Sequence, residues 1–340
     1  MVGQDLTRGD ARAGGGDGGA AACSIERMIS HIVRRATPTL AALLLAAPLL
    51  SAARAQAPVA VLDDSIPPGN NFDKAQFRLW IPREAGTLRG ALILVPGSNG
   101  DGRAQAQDTV WQAFATKQKL AIVGVRFTDK PHEQNFIEDY VNVSHGSGQA
   151  LLDALAKFAG RVQHPELANA PLVFFGMSAG GQFNYEFAAW KPERVIAFVV
   201  NKGGIYYTAL TSRATREVPA MLFIGGKDLE SRVSTITGLF ALNRRGGALW
   251  ALADEPAAGH IVGRSRDMSI IFFEDVLPQR LGDGATLKPL TEKSGFLGDL
   301  KAKTFQPIGE QPAPNYPTAW LPTERVAKAW QAMISERPFP

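Results

Sequence analysis

The sequence is poor in cysteine, in histidine and in long apolar runs, and each shortage removes a class of function. It has one cysteine in 340 residues, Cys23, and none from residue 56 onward. Beyond that point there can be no disulfide, no zinc–thiolate site and no cysteine nucleophile. Histidine occurs five times, with no His-Glu-x-x-His and no close grouping with Asp or Glu, so no metal or other cofactor is expected. The longest apolar run, Leu40–Leu50, has 11 residues and is too short to cross a bilayer, which takes about 20. A stable membrane anchor is therefore not expected. Charge is also nearly absent as a signal. Of 36 basic and 32 acidic residues, six and four fall within residues 1–55, which leaves 30 and 28 in the remainder. With that balance and no block of like charge, nucleic acid has no support as a partner.

The amino-terminal region divides into two pieces. From Met28, the basic residues His31, Arg34 and Arg35 precede the apolar run, and Ala53-Arg54-Ala55 supplies a small-x-small cleavage site. This pattern predicts a signal peptide over residues 28–55 and export to the periplasm or the extracellular space. Residues 1–27, which include Gly14-Gly15-Gly16-Asp17-Gly18-Gly19, fit neither a signal nor a fold. They are expected to be a disordered or non-native extension, with Met28 as the true start.

From residue 56 the chain is rich in apolar runs of strand length. Ala75–Pro82 alternates, whereas Gly90–Val95, Leu120–Phe127, Leu172–Met177, Val195–Val200, Met221–Ile224 and Ala248–Ala253 are almost wholly apolar. Such runs predict central parallel strands covered on both faces. Helical candidates lie between them at Ala104–Lys119, Gln149–Val162, Ala179–Trp190, Leu229–Arg244 and Arg264–Leu281. The rhythm predicts an α/β domain over residues 56–282 with a doubly wound, mostly parallel sheet. Residues 283–318, rich in Pro, Gly, Lys and Thr, are expected to form a surface tail. A last helix should begin after Thr323 as N-cap, with Val326, Trp330 and Met333 on one face, and residues 283–340 pack on the same domain.

The most informative segment is Gly176-Met177-Ser178-Ala179-Gly180. A strand-like run, Leu172–Phe175, precedes it, and a helical stretch that stops at Lys191-Pro192 comes after it. A strand, G-x-S-x-G and a helix resemble the nucleophile elbow of the α/β-hydrolases. There the turn is so tight that the flanking positions have no room for a Cβ. A serine so placed needs a base and a carboxylate to orient that base. In that fold the chain order is Ser, then Asp or Glu, then His. Asp228 ends Met221-Leu222-Phe223-Ile224-Gly225-Gly226-Lys227-Asp228 at the carboxyl end of a strand. It can also serve simply as a helix N-cap, and Glu230 and Asp254 are its substitutes. His260 is the one histidine after Asp228, while His132, His145 and His164 precede Ser178. An oxyanion needs two backbone donors: Ala179 N–H is one. The other falls in the loop Pro96–Arg103, where Pro96 has no N–H and Ser98 or Asn99 is expected.

Gly176–Gly181, Gly225–Asp228 and Gly259-His260 together make residues 75–281 similar to the α/β-hydrolase superfamily. Within it the chain resembles secreted bacterial esterases of the polyhydroxybutyrate depolymerase and feruloyl esterase type. The resemblance implies Ser178 as nucleophile, Asp228 as acid and His260 as base in a serine hydrolase acting on carboxylic esters, small or polymeric. The chain departs from many such esterases in having Pro96-Gly97 where they have His-Gly, and in lacking their cysteines. No long insertion follows the sixth strand, so no large lid domain is expected. Phe127, read as lying just past its strand, and Tyr206 are candidate pocket walls. The competing readings are a peptidase or amidase on the same scaffold and a catalytically inactive hydrolase-fold binding protein.

Overall fold

The computed structural model describes residues 61–133, 137–282, 286–309 and 315–340. Cys23, the signal segment at 28–55 and the extension at 1–27 lie outside the described residues. Eight strands form one sheet in the order β1-β2-β4-β3-β5-β6-β7-β8. They are β1 (Val61–Ile66), β2 (Lys74–Trp80), β3 (Gly90–Val95), β4 (Leu120–Thr128), β5 (Leu172–Gly176), β6 (Val195–Asn201), β7 (Ala220–Gly225) and β8 (Trp250–Glu255). The β1–β2 and β2–β4 pairs are antiparallel, and the pairs from β4 through β3 to β8 are parallel.

The apolar runs are buried on both sides because successive side chains point to opposite faces. On one face, Ile93, Val123, Phe174, Val200 and Leu222 join a core with α2 (Ser147–Val162), α3 (Ala179–Trp190) and α5 (Glu230–Arg245). On the other, Leu92, Ile122, Phe175, Val199 and Met221 pack with α1 (Thr109–Gln118), α6 (Ser265–Arg280) and α7 (Glu324–Ile334). This is the doubly wound α/β-hydrolase fold. Between β6 and β7 there is only the four-residue helix α4 (Arg213–Arg216), so the described residues contain no large lid there.

Two expectations need correction, and one strand was not foreseen. The helix read over Ala104–Lys119 is broken at Asp108, whose Oδ1 accepts the Val110 and Trp111 N–H groups and so starts α1 afresh. The edge strand β1 carries no apolar run, since Val61-Leu62-Asp63-Asp64-Ser65-Ile66 is held by pairing with β2. The segment read as a surface tail contains β9 (Phe296–Asp299) and β10 (Thr304–Pro307); β9 pairs with β10 on one side and with β11 (Ala319–Leu321) on the other in a small antiparallel sheet. Strands of three or four residues are too short to show a period.

α7 is capped by Thr323, whose Oγ1 accepts the Val326 N–H. Its Trp330 is fully buried and donates Nε1–H to the Leu252 carbonyl of β8 at 2.8 Å. At the carboxyl end the Arg264 guanidinium lies over the Phe339 ring at 4.2 Å and donates to the Arg337 carbonyl.

Candidate active site

Ser178 sits between β5 and α3 at φ 55° and ψ −125°. A non-glycine residue there costs about 1–3 kcal/mol, so the surroundings must hold it. Its N–H donates to the Asn201 carbonyl at 2.8 Å, and Gly180 N–H donates to the Met177 carbonyl at 2.8 Å. The close approach explains the glycines. A Cβ on Gly180 would stand 2.1 Å from the Val95 oxygen, and one on Gly176 would stand 2.5 Å from the Gly180 carbonyl. No side chain caps the first turn of α3, which leaves the Ala179 N–H among the amides without an intrahelical partner.

The loop after β3 runs beside the serine, since a Cβ on Gly97 would stand 3.6 Å from Ser178 Cβ. The two donors expected there differ. Asn99 N–H is already donated to Tyr140 Oη at 3.2 Å, and the Asn99 side chain is tied to Asp129. Ser98 N–H donates to no acceptor among the described residues. Asn99 is therefore the weaker choice.

Asp228 follows β7 and His260 follows β8. β5 and β7 are two strand spacings apart, about 10 Å, so the third group must be brought inward across the edge. The β8 loop does this by doubling back: Gly226 N–H donates to the Glu255 carbonyl, and Lys227 N–H to the Ala258 carbonyl. His260 Nδ1 thereby meets Asp228 Oδ2 at 2.9 Å. Asp228 Oδ1 accepts the Leu229 N–H at 2.8 Å and the Arg232 guanidinium at 3.1 Å. Burial raises the Asp228 carboxyl, but the bonds from His260, Leu229 and Arg232 outweigh it and hold the group below the usual aspartate value. The Asp228 side chain is 2% exposed and that of His260 30%. The Ser178 hydroxyl makes no hydrogen bond to His260 in this structure, a link that in free enzymes often closes only with substrate.

Glu230, exposed at the start of α5, and Asp254, half-buried within β8, do not bond His260. Phe127 is not a pocket wall. β4 runs on to Thr128, and Phe127, 2% exposed, packs among Phe72, Phe77, Tyr140 and Phe183. Tyr206 packs on Tyr185 with its hydroxyl buried and unpartnered. Its neighbour Tyr207 is exposed and, with Asn70, Asp139, Asn142, Ser144 and His145, lines a cavity of about 830 Å³. Ser178, Asp228 and His260 do not line that cavity.

Sequence reasoning missed Arg232, on the carboxylate, and Lys202 with Glu255. The lysine pair had a visible signal, because a charged residue lies just beyond the apolar run Val195–Val200 at a strand end.

No protein-family model and no curated protein sequence matches the chain. Solved structures similar in fold include a poly(3-hydroxybutyrate) depolymerase from Bordetella parapertussis. It is 17% identical, with 66% of this chain and 92% of that one covered, at a TM-score of 0.47. An esterase from Pyrococcus furiosus is 12% identical over 65% of this chain and 92% of that one, at 0.46. A thermostable esterase is 14% identical over 57% of this chain at 0.45, and the chain spans only 54% of its length.

Proposed function

We propose that the chain is a serine hydrolase that cleaves carboxylic esters through an acyl-enzyme on Ser178. The observation that carries the reading is the His260–Asp228 bond of 2.9 Å on loops at the same sheet edge as a serine in strained backbone. In the proposed cycle His260 Nε2 takes the Ser178 proton as Oγ attacks the ester carbonyl carbon. Asp228 holds the ring through Nδ1–H and stabilises the imidazolium. The negative oxygen of the tetrahedral species is received by Ala179 N–H and Ser98 N–H, and losing one donor should raise the barrier by about 3 kcal/mol. Collapse breaks the bond to the alcohol oxygen, which takes the proton from His260. Water then attacks the acyl group by the same route and restores Ser178.

Apolar side chains stand exposed next to the pair: Leu229 adjoins Asp228, and Ile261 and Val262 come directly after His260. They favour an ester with an apolar acyl or aryl group. Export remains part of the proposal on the sequence pattern at 28–55, and the amino terminus of the natural protein tests it: a start near Gln56 supports it, and a retained Met28 segment refutes it.

Hydrolysis of p-nitrophenyl butyrate beside the matching nitroanilide tests the chemistry. Ester turnover lost in Ser178→Ala is the expected result. Preferential anilide cleavage would favour an amidase. Failure of Ser178 to react with a fluorophosphonate, together with no turnover, would leave a binding protein.

A further inference from the structure

The carboxyl end of β6 holds a lysine that the ester chemistry does not use. Lys202 has a fully buried side chain on left-handed backbone, at φ 55°. Its Nζ stands 3.1 Å from Glu255 Oε2 and 3.1 Å from Asn201 Oδ1. Glu255 ends β8, and its other oxygen accepts the Arg264 N–H at 2.7 Å. Buried ion pairs are weak sources of stability, because desolvation offsets the attraction and apolar replacements often do as well. Stability alone is therefore a weak account of this pair.

Three loops meet on this pair. The Asn201 carbonyl holds the Ser178 amide, and Lys202 N–H donates to the Phe223 carbonyl of β7 at 3.0 Å. Asn201 Nδ2 donates to Ser265 Oγ at 2.7 Å, and that hydroxyl donates to the Val262 carbonyl, two residues past His260. The lysine stem leaves no space under the Asp228 loop, since a Cβ on Gly225 would stand 2.8 Å from Lys202 Cε and 2.6 Å from the Ala258 oxygen. Glu255 fills the space under the His260 loop, where a Cβ on Gly263 would stand 2.4 Å from Oε1. The charged groups acting on Lys202 are Glu255, Asp228 and Asp254, and the Asp228 carboxylate is bonded by the His260 ring and the Arg232 guanidinium.

We infer that the buried Lys202–Glu255 pair holds the Asp228 and His260 loops in register with Ser178, which makes both members positioning residues for the proton transfer. The inference takes the roles of those loops from the proposed function; the network itself stands without it.

The double variant Lys202→Met/Glu255→Gln removes both buried charges at once and leaves neither stranded. The expected result is a folded protein in which the His260 Nδ1–H proton, monitored by NMR, exchanges with solvent about tenfold faster. Its kcat for p-nitrophenyl butyrate should fall about tenfold to a hundredfold with little change in KM, the signature of displaced reacting groups. A purely structural pair would lower the unfolding midpoint and move neither readout, and wild-type exchange and kcat in the folded variant would overturn the inference. Should the double variant not fold, the uncharged pair Lys202→Gln/Glu255→Gln, which also strands no charge and keeps an acceptor for Arg264 N–H, is read the same way, with a smaller change expected and none overturning the idea. The exchange rate needs no turnover. An inactive wild type would therefore strike at the esterase reading, while the exchange measurement would still decide the role of the pair.

Discussion

The turn that carries Ser178 and the loop that carries His260 solve the same problem, placing one side chain at a sheet edge, with different sets of contacts. The serine turn is fixed by backbone against backbone. Its amide is bonded to β6, and two glycines admit the Val95 and Gly180 carbonyls at distances no Cβ would allow. The histidine loop has backbone bonds to the Asp228 loop and adds side chains to them: Asp228 on the ring, Glu255 on Arg264 N–H and Ser265 on the Val262 carbonyl. At Gly259, beside the histidine, a Cβ would meet only the Lys227 oxygen, at 3.6 Å. The serine turn is thus held by backbone contacts, whereas the histidine ring is held by side-chain partners as well.

The contrast can be broken at several points. Ser178→Ala should remove ester turnover by about a millionfold while leaving the unfolding midpoint near wild type, because the backbone and not the hydroxyl holds the turn. Assay and calorimetry on one sample check both halves. Asp228→Asn should lower kcat by about ten-thousandfold, because an amide in that place favours the wrong tautomer of the ring and cannot stabilise the imidazolium. It should also alter acid stability. The folded-state value of Asp228 lies below 3.8, so its contribution is complete above that pH and is lost as pH falls through the lowered value. A denaturation series from pH 6 to 2 should therefore be flatter at its acid end in the variant.

Glycine substitutions sharpen the comparison without touching the chemistry. Gly180→Ala forces a Cβ against the Val95 oxygen, which cannot yield without moving β3, and should cost about 4 kcal/mol or more in urea unfolding. Gly259→Ala has ordinary contact distances and should cost under about 0.5 kcal/mol. Equal losses at the two glycines would refute the distinction.

The two regions also differed in how far they could be read from sequence. The elbow was written in consecutive residues, so Gly176–Gly181 and the strand before it disclosed its local geometry. The parallel strands were equally open to reading, because burial on both faces leaves unbroken apolar runs such as Leu172–Phe175. The support beneath the histidine loop joins residues as far apart as Lys202 and Glu255: the charge just past the run Val195–Val200 marks the lysine, but no local pattern names its partner. Phe127 was misread because a strand that runs to Thr128 turns an apparent loop residue into core. The small strands β9 and β10 were missed because pairing across the chain, and not their own composition, makes them strands.

The contact of Phe339 and Arg337 with Arg264 has a practical consequence. Arg264 offers its amide to Glu255, so the last residues of the chain are one side chain removed from the loop of His260. An affinity tag or fusion partner joined after Pro340 would pull on that same chain of bonds. Kinetic constants from carboxyl-tagged and cleaved protein should differ more than those from two tags of different length at the other terminus.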